Sequence, residues 1–213
     1  MKILAMLAVT FVFLVTIPSL IFANHCLEVT ADSTLAGNPG FIVTITEPGF
    51  PPESFFVFEE TGKIRIFASR EAGSPNWDIL PGSQYLCQAT TMSIGDTWRF
   101  LDDDPGSETV ATVVAQGSLT TAAGTFSIFK VDVALASDPS TINHSVCFSS
   151  GVGIVREEEY FAGALNYRDE LFSFNIVVGS GFFPLAVGNQ WDYAEINVPV
   201  EATSWGAVKS KYD

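Results

Sequence analysis

Apolar and polar residues alternate with a period of two along most of this chain. The pattern is clearest in Thr125-Phe126-Ser127-Ile128-Phe129-Lys130-Val131-Asp132-Val133-Ala134-Leu135. Phe129, Val131, Val133 and Leu135 fall on one side and Lys130 and Asp132 on the other, as in a strand with one buried face. Phe126 and Ile128 lie on the Lys130 side, so the first half of this strand is expected to be covered on both faces, as in a central strand.

Shorter segments of the same kind precede and follow it, at residues 26–30, 41–46, 54–59, 63–69, 84–89, 94–100, 108–116, 144–149, 152–161, 171–178 and 191–198. Turn residues separate them: Gly37-Asn38-Pro39-Gly40, then Glu60-Thr61-Gly62, where Gly62 supplies the positive φ of a tight hairpin, then Asp138-Pro139-Ser140 and Gly179-Ser180-Gly181. Residues 72–82, with two prolines and Trp77, read as an irregular connection. Short turns between consecutive strands imply antiparallel pairing, because parallel pairing needs crossover helices and none is legible. The expected fold is mostly β, an antiparallel meander forming a strongly curved sheet or incomplete barrel. After Pro199 the pattern changes: Trp205, Val208 and Tyr212 stand at helical spacing with lysines near the end, which predicts a short C-terminal helix covering an open end or edge of the sheet.

Composition adds class and address. The chain has 213 residues, 47% hydrophobic with 18 Phe, enough for a substantial core. A formal charge of −14 with only ten Lys and Arg excludes nucleic acid and anionic membrane surfaces as partners. Lys2 precedes an apolar run from Ile3 to Phe22, broken near its end by Pro18 and followed by the small Ala23. This is the form of an export signal, so residues 1–23 are expected to be removed, leaving a single β domain over 24–198 and a tail over 199–213. A membrane association would require that the segment be retained.

Candidate chemistry is sparse. Cys26, Cys87 and Cys147 all lie beyond the expected cleavage point, where an oxidising compartment permits one disulfide among the three, and the spacing does not choose the pair. With His25 and His144 the only histidines and no C-x-x-C element, zinc is not expected. Asp102, Asp103, Asp104 and Glu108 place carboxylates around a turn, a weak calcium candidate lacking the EF-hand pattern. Glu157-Glu158-Glu159 cannot converge within a strand and is expected to mark a charged edge. Asn143-His144-Ser145 has the form of a glycosylation sequon. No Gly-x-Ser-x-Gly occurs and the histidines have no recognisable partner pattern, so neither catalytic residues nor a cofactor is expected.

One element recurs. Ile94-Gly95-Asp96-Thr97-Trp98-Arg99-Phe100 is echoed by Val187-Gly188-Asn189-Gln190-Trp191-Asp192-Tyr193: an aliphatic residue, Gly, Asp or Asn, any residue, Trp, any residue, an aromatic. Gly with Asp or Asn makes a tight turn, and the following Trp and aromatic fall on one face of a strand, which suits core anchors better than a sugar-stacking platform. With Ala123-Gly124-Thr125-Phe126 and Gly151-Val152-Gly153-Ile154-Val155-Arg156-Glu157, this element resembles those of a group of uncharacterised exported bacterial β-rich proteins. The resemblance covers residues 92–193, implies export and a β fold, and brings no site residues with it. The second unit lies too close to the C-terminus for another full domain to follow.

The expected role is that of an exported, non-catalytic β domain, structural or binding, at the cell surface or in the periplasm, with a protein or cell-envelope partner. Its main alternative is a carrier of an apolar ligand or lipid, with Phe126, Ile128, Phe129 and Val131 flanking a cavity inside the curved sheet. A secreted hydrolase is a further alternative.

Overall fold

The computed structural model describes residues 24–101 and 108–196. Twelve strands follow one another in order: β1 (Asn24–Leu35), β2 (Asn38–Thr46), β3 (Glu53–Glu60), β4 (Lys63–Glu71), β5 (Asp78–Gln88), β6 (Thr97–Leu101), β7 (Thr109–Thr121), β8 (Gly124–Leu135), β9 (Asp138–Ser149), β10 (Gly153–Phe161), β11 (Ala164–Asn175) and β12 (Gln190–Glu195). They form one antiparallel sheet in the order β5-β4-β3-β2-β1-β12-β11-β10-β9-β8-β7-β6. The described residues contain no helix, and the expected helix of the tail lies outside them.

The order is a meander with one irregularity: the first strand pairs with the last, Asn24 opposite Ala194 through Glu28 opposite Gln190. The sheet is not closed, because no ladder joins its edges β5 and β6. Those edges nevertheless meet, the Trp98 indole N–H donating to the Tyr85 carbonyl at 3.3 Å.

The recurring sequence element has a structural counterpart. Gly95 donates to Val113 O at 2.8 Å, Val113 to Asp96 O at 2.9 Å and Asp96 to Ser93 O at 3.0 Å. Gly188 donates to Val29 O at 2.8 Å, Val29 to Asn189 O at 2.9 Å and Asn189 to Ala186 O at 3.0 Å. Both glycines need positive φ, +94° and +89°, and a β-bulge follows both Val113 and Val29. Thus the turn before β6 is tied to β7 as the turn before β12 is tied to β1. The second unit therefore has β1 as its partner strand, as the first has β7.

Tight hairpins use left-handed residue pairs, as the right-handed twist of strands requires: Ala36-Gly37, Thr61-Gly62 and Ala162-Gly163 all have positive φ. The main core fills the inner face and includes Trp98, Phe148, Leu171, Trp191 and Tyr193, while Phe56, Phe58 and Ala68 form a smaller cluster with Phe67 and Trp77 packed on it. Phe55 and Phe56 belong to different clusters, so β3 is buried on both faces. β8 is a central strand, paired with β7 and, from Phe129 on, with β9, but its first half is covered on one face only: Phe126 and Ile128 pack into the core while Thr125 and Ser127 are exposed.

The triple glutamate is not an edge. β10 lies between β9 and β11, and Glu157 and Glu158 are both buried. Alternation sends Glu158 to Arg168 and the Tyr160 hydroxyl, and Glu157 to His144. The sequon likewise lies within paired β9, where His144 and Ser145 are buried, rather than on a surface loop.

Candidate functional site

Strand register places a band of ionisable residues on the inner face at the end where β1 begins and β12 finishes. Glu157 of β10 stands opposite Asp169 of β11, and Asp169 opposite Glu195 of β12. Glu159 stands between His144 of β9 and Tyr167 of β11, and His25 of β1 opposite Tyr193 of β12. His144 Nε2 is 2.7 Å from Glu157 Oε1, and the Phe100 ring packs edge-on against the imidazole. His25 Nδ1 is 3.2 Å from Asp169 Oδ2, and its ring stacks on Tyr193 with centroids 4.8 Å apart. Tyr167 donates its hydroxyl to the same Asp169 oxygen, and Tyr193 donates to Ile154 O at 3.0 Å. His144 Nδ1 and Asp169 Oδ1 are buried with no hydrogen-bond partner.

Burial sets the electrostatics. It pushes the Asp169 carboxyl up to about 8 despite the Tyr167 hydrogen bond, helped by the nearby carboxylates Glu157, Glu195 and Glu47. Burial also holds the His25 imidazole below its ordinary value, against the pull of Glu157. Glu157 is buried too, which by itself would raise it, but the charge and hydrogen bond of His144, with His25 beyond, keep it below the usual carboxylate range. Glu159, Glu195 and Glu47 are raised, chiefly by burial.

Beside this band lies an apolar space of about 80 Å3, bounded by His25, His144, Glu157 and Tyr193 on one side and by Phe55, Phe100 and Phe183 among others. The connection from β11 to β12 packs against it. Gly151 donates to Gly181 O at 2.7 Å and Phe182 to Ala89 O at 3.0 Å, which fixes residues 181–182 against the turn before β10 and the end of β5. Phe182 meets the edge of Phe129, and Phe183 joins the core. Asn189, fully buried, ties the same connection to β12: Oδ1 accepts from Val177 N, and Nδ2 donates to Val178 O and Pro184 O, each at 2.8 Å.

Phe126, Ile128, Phe129 and Val131 do not bound this space. All four pack into or against the main core, Phe126 against Phe174, and Lys130 and Asp132 pair with each other at 3.1 Å. Cys26, Cys87 and Cys147 are free thiols, and the expected disulfide among them is absent. They sit on β1, β5 and β9, and in the sheet β5 and β9 each lie four strand steps from β1 on opposite sides of it. At roughly 4.8 Å per step that is far beyond disulfide reach. Of the calcium candidates, Asp102, Asp103 and Asp104 lie outside the described residues, while Glu108 pairs with Arg99 at 3.4 Å. Among the described residues no cluster of His, Cys, Asp and Glu has the form of a metal site.

The inner band escaped sequence reasoning, although a signal was present. His25, His144, Glu157 and Asp169 occupy apolar-phase positions, two residues from Leu27, Val146, Val155 and Leu171. No family model matches the chain, and no curated relative or solved structure is significantly similar to it.

Proposed function

We propose that the chain is an exported, non-catalytic β module with a structural or binding role at the cell surface or in the periplasm. In this reading its interior is packing, and its outer faces meet the partner. One observation carries it: the interior space of about 80 Å3 is well below the roughly 300–1,000 Å3 of sites that enclose a ligand of lipid or drug size. Phe182 and Phe183 occupy the interior where an acyl chain would have to run. Trp98 and Trp191 support the same reading, since both are buried and neither offers an exposed platform for a sugar.

The carrier reading rests on the apolar walls of that space and on the incomplete barrel that the curved sheet describes. A hydrolase reading finds less support: the described bonds of His25 and His144 run to carboxylates rather than to a serine hydroxyl. The exported address rests on the segment from Lys2 to Ala23.

Organic extraction of the purified protein with mass spectrometry, alongside titration with a fluorescent fatty acid, separates the two main readings. No stoichiometric lipid and no saturable micromolar binding are expected. Co-purified lipid at one equivalent would replace the proposal by the carrier. For the address, an intact mass beginning near Asn24 is expected in the exported fraction, and a cytoplasmic product retaining Met1 would overturn it.

A further inference from the structure

The β1–β12 ladder is the junction between the five N-terminal strands and the seven that follow, and it spans only Asn24–Glu28 against Gln190–Ala194. On its inner side one side chain bridges three strands: His25 of β1 stacks on Tyr193 of β12 and reaches Asp169 of β11. Asp169 is fully buried. It is faced by Tyr167 on its own strand, by Glu157 and Glu159 of β10, by Glu195 and Tyr193 of β12, by His25, and by Glu47 after β2, with His144 of β9 behind Glu157. The bases bonded to this group are imidazoles, His25 to Asp169 and His144 to Glu157.

We propose that His25 and Asp169 form a proton-dependent fastener of the β1–β12 ladder, closed while the pair holds a proton and loosened when that proton is lost. With a proton between them the two side chains are a neutral, hydrogen-bonded unit that an apolar interior accepts. Without it Asp169 is a buried anion among Glu157, Glu195 and Glu47, and parting β1 from β12 relieves the repulsion by admitting water. Asp169 is pushed up to about 8, so the proton leaves just above neutrality, and the depressed His25 does not retain it instead. The ladder is short, so its opening is local rather than global.

Amide hydrogen exchange of the intact chain between about pH 6 and 10, with each rate divided by its intrinsic value at that pH, tests the fastener. Protection at residues 24–28 and 190–194 is expected to fall on the order of tenfold per pH unit up to the titration of Asp169 at about 8 and to level off above it, while β7 and β8 hold theirs. Asp169→Asn should abolish the pH dependence at the ladder. Tyr167→Phe, which removes a hydrogen bond that holds Asp169 down, should move the levelling-off to higher pH. Protection independent of pH, a loss equal across the whole sheet, or a levelling-off unmoved in Tyr167→Phe would each overturn the proposal. If Asp169→Asn does not fold, the native profile and Tyr167→Phe decide it.

Discussion

The ring of Phe183 lies flat against the indole of Trp191, centroids 5.2 Å apart and planes 11° from parallel. The indole N–H donates to Val152 O, and a Cβ on Gly153 would come within 3.1 Å of that nitrogen. The β11–β12 connection, β12 and the start of β10 therefore meet at one residue. Trp191→Ala is expected to cost about 3–5 kcal/mol, and Trp98→Ala a similar amount, measured as shifts in denaturant midpoint. A loss under about 1 kcal/mol accompanied by lost sugar binding would mark either residue as an exposed platform instead.

Asn189 offers a test of polar rather than apolar cross-linking. Truncation to Ala leaves Val177 N, Val178 O and Pro184 O without their partner in a buried setting. The expected cost is about 2–4 kcal/mol by denaturant unfolding, together with faster amide exchange at Val177. Asn189→Asp keeps the acceptor but sets a buried carboxyl oxygen against Val178 O and Pro184 O, and should cost at least as much as Ala.

Two glycines of similar backbone conformation are expected to behave differently. Gly37 has φ +84° and a Cβ placed there would meet nothing within 4 Å, whereas Gly181 has φ +86° and its Cβ would lie 2.1 Å from Ala89 O. Gly37→Ala should cost only the left-handed penalty of about 1–2 kcal/mol. Gly181→Ala adds a collision with backbone, so its cost should exceed that of Gly37→Ala by at least about 2 kcal/mol. Equal costs would mean that the connection is not seated on β5.

Global stability should pass over a broad maximum below about pH 6.5, falling from there to about pH 8 and again on the acid side. Asp169 binds its proton more tightly when folded, about 8 against an ordinary 3.8, so its contribution is complete below about pH 4 and lost as pH rises through 8. His25 has the opposite sign: its folded value lies below 6.5, so stability is lost as pH falls through the region below that value. Glu157, held below 4.5, adds a further loss on the acid side. Chemical denaturation across pH should show an alkaline limb no steeper than about 1.4 kcal/mol per unit, the limit for one proton. Asp169→Asn should remove that limb and leave the acid one.

Strand order was legible because apolar residues repeat every second position and Gly-containing turns punctuate them; β8, the Thr61-Gly62 hairpin and both Trp anchors are where alternation puts them. Strand ends were less so. The stretches Ser118–Thr121 and Asp138–Asn143 are polar yet paired, because ladder bonds need no apolar side chains. β5 begins at Asp78, inside what reads as an irregular connection, and β11 begins at Ala164, earlier than its apolar run. The inner band was hidden for a different reason: a strand pattern assigns ionisable side chains to the outside, and only cross-strand register shows that His144 and Glu157, or His25 and Asp169, find each other inside. Nor does local sequence reveal that β12 pairs with β1, since that contact joins opposite ends of the chain.

That last pairing sets an order of events during synthesis. The ribosome delivers β1 first and β12 last, so one edge of β1 waits for its partner while everything between them is made. Through that interval the growing chain carries an uncovered strand edge, open to neighbouring nascent chains. The N-terminal hairpins can form early, but the seat of Trp191 beneath Phe183 and the bridge from His25 to Asp169 are late acquisitions. Emergence of β12, rather than of any strand before it, is the moment at which this sheet can become whole.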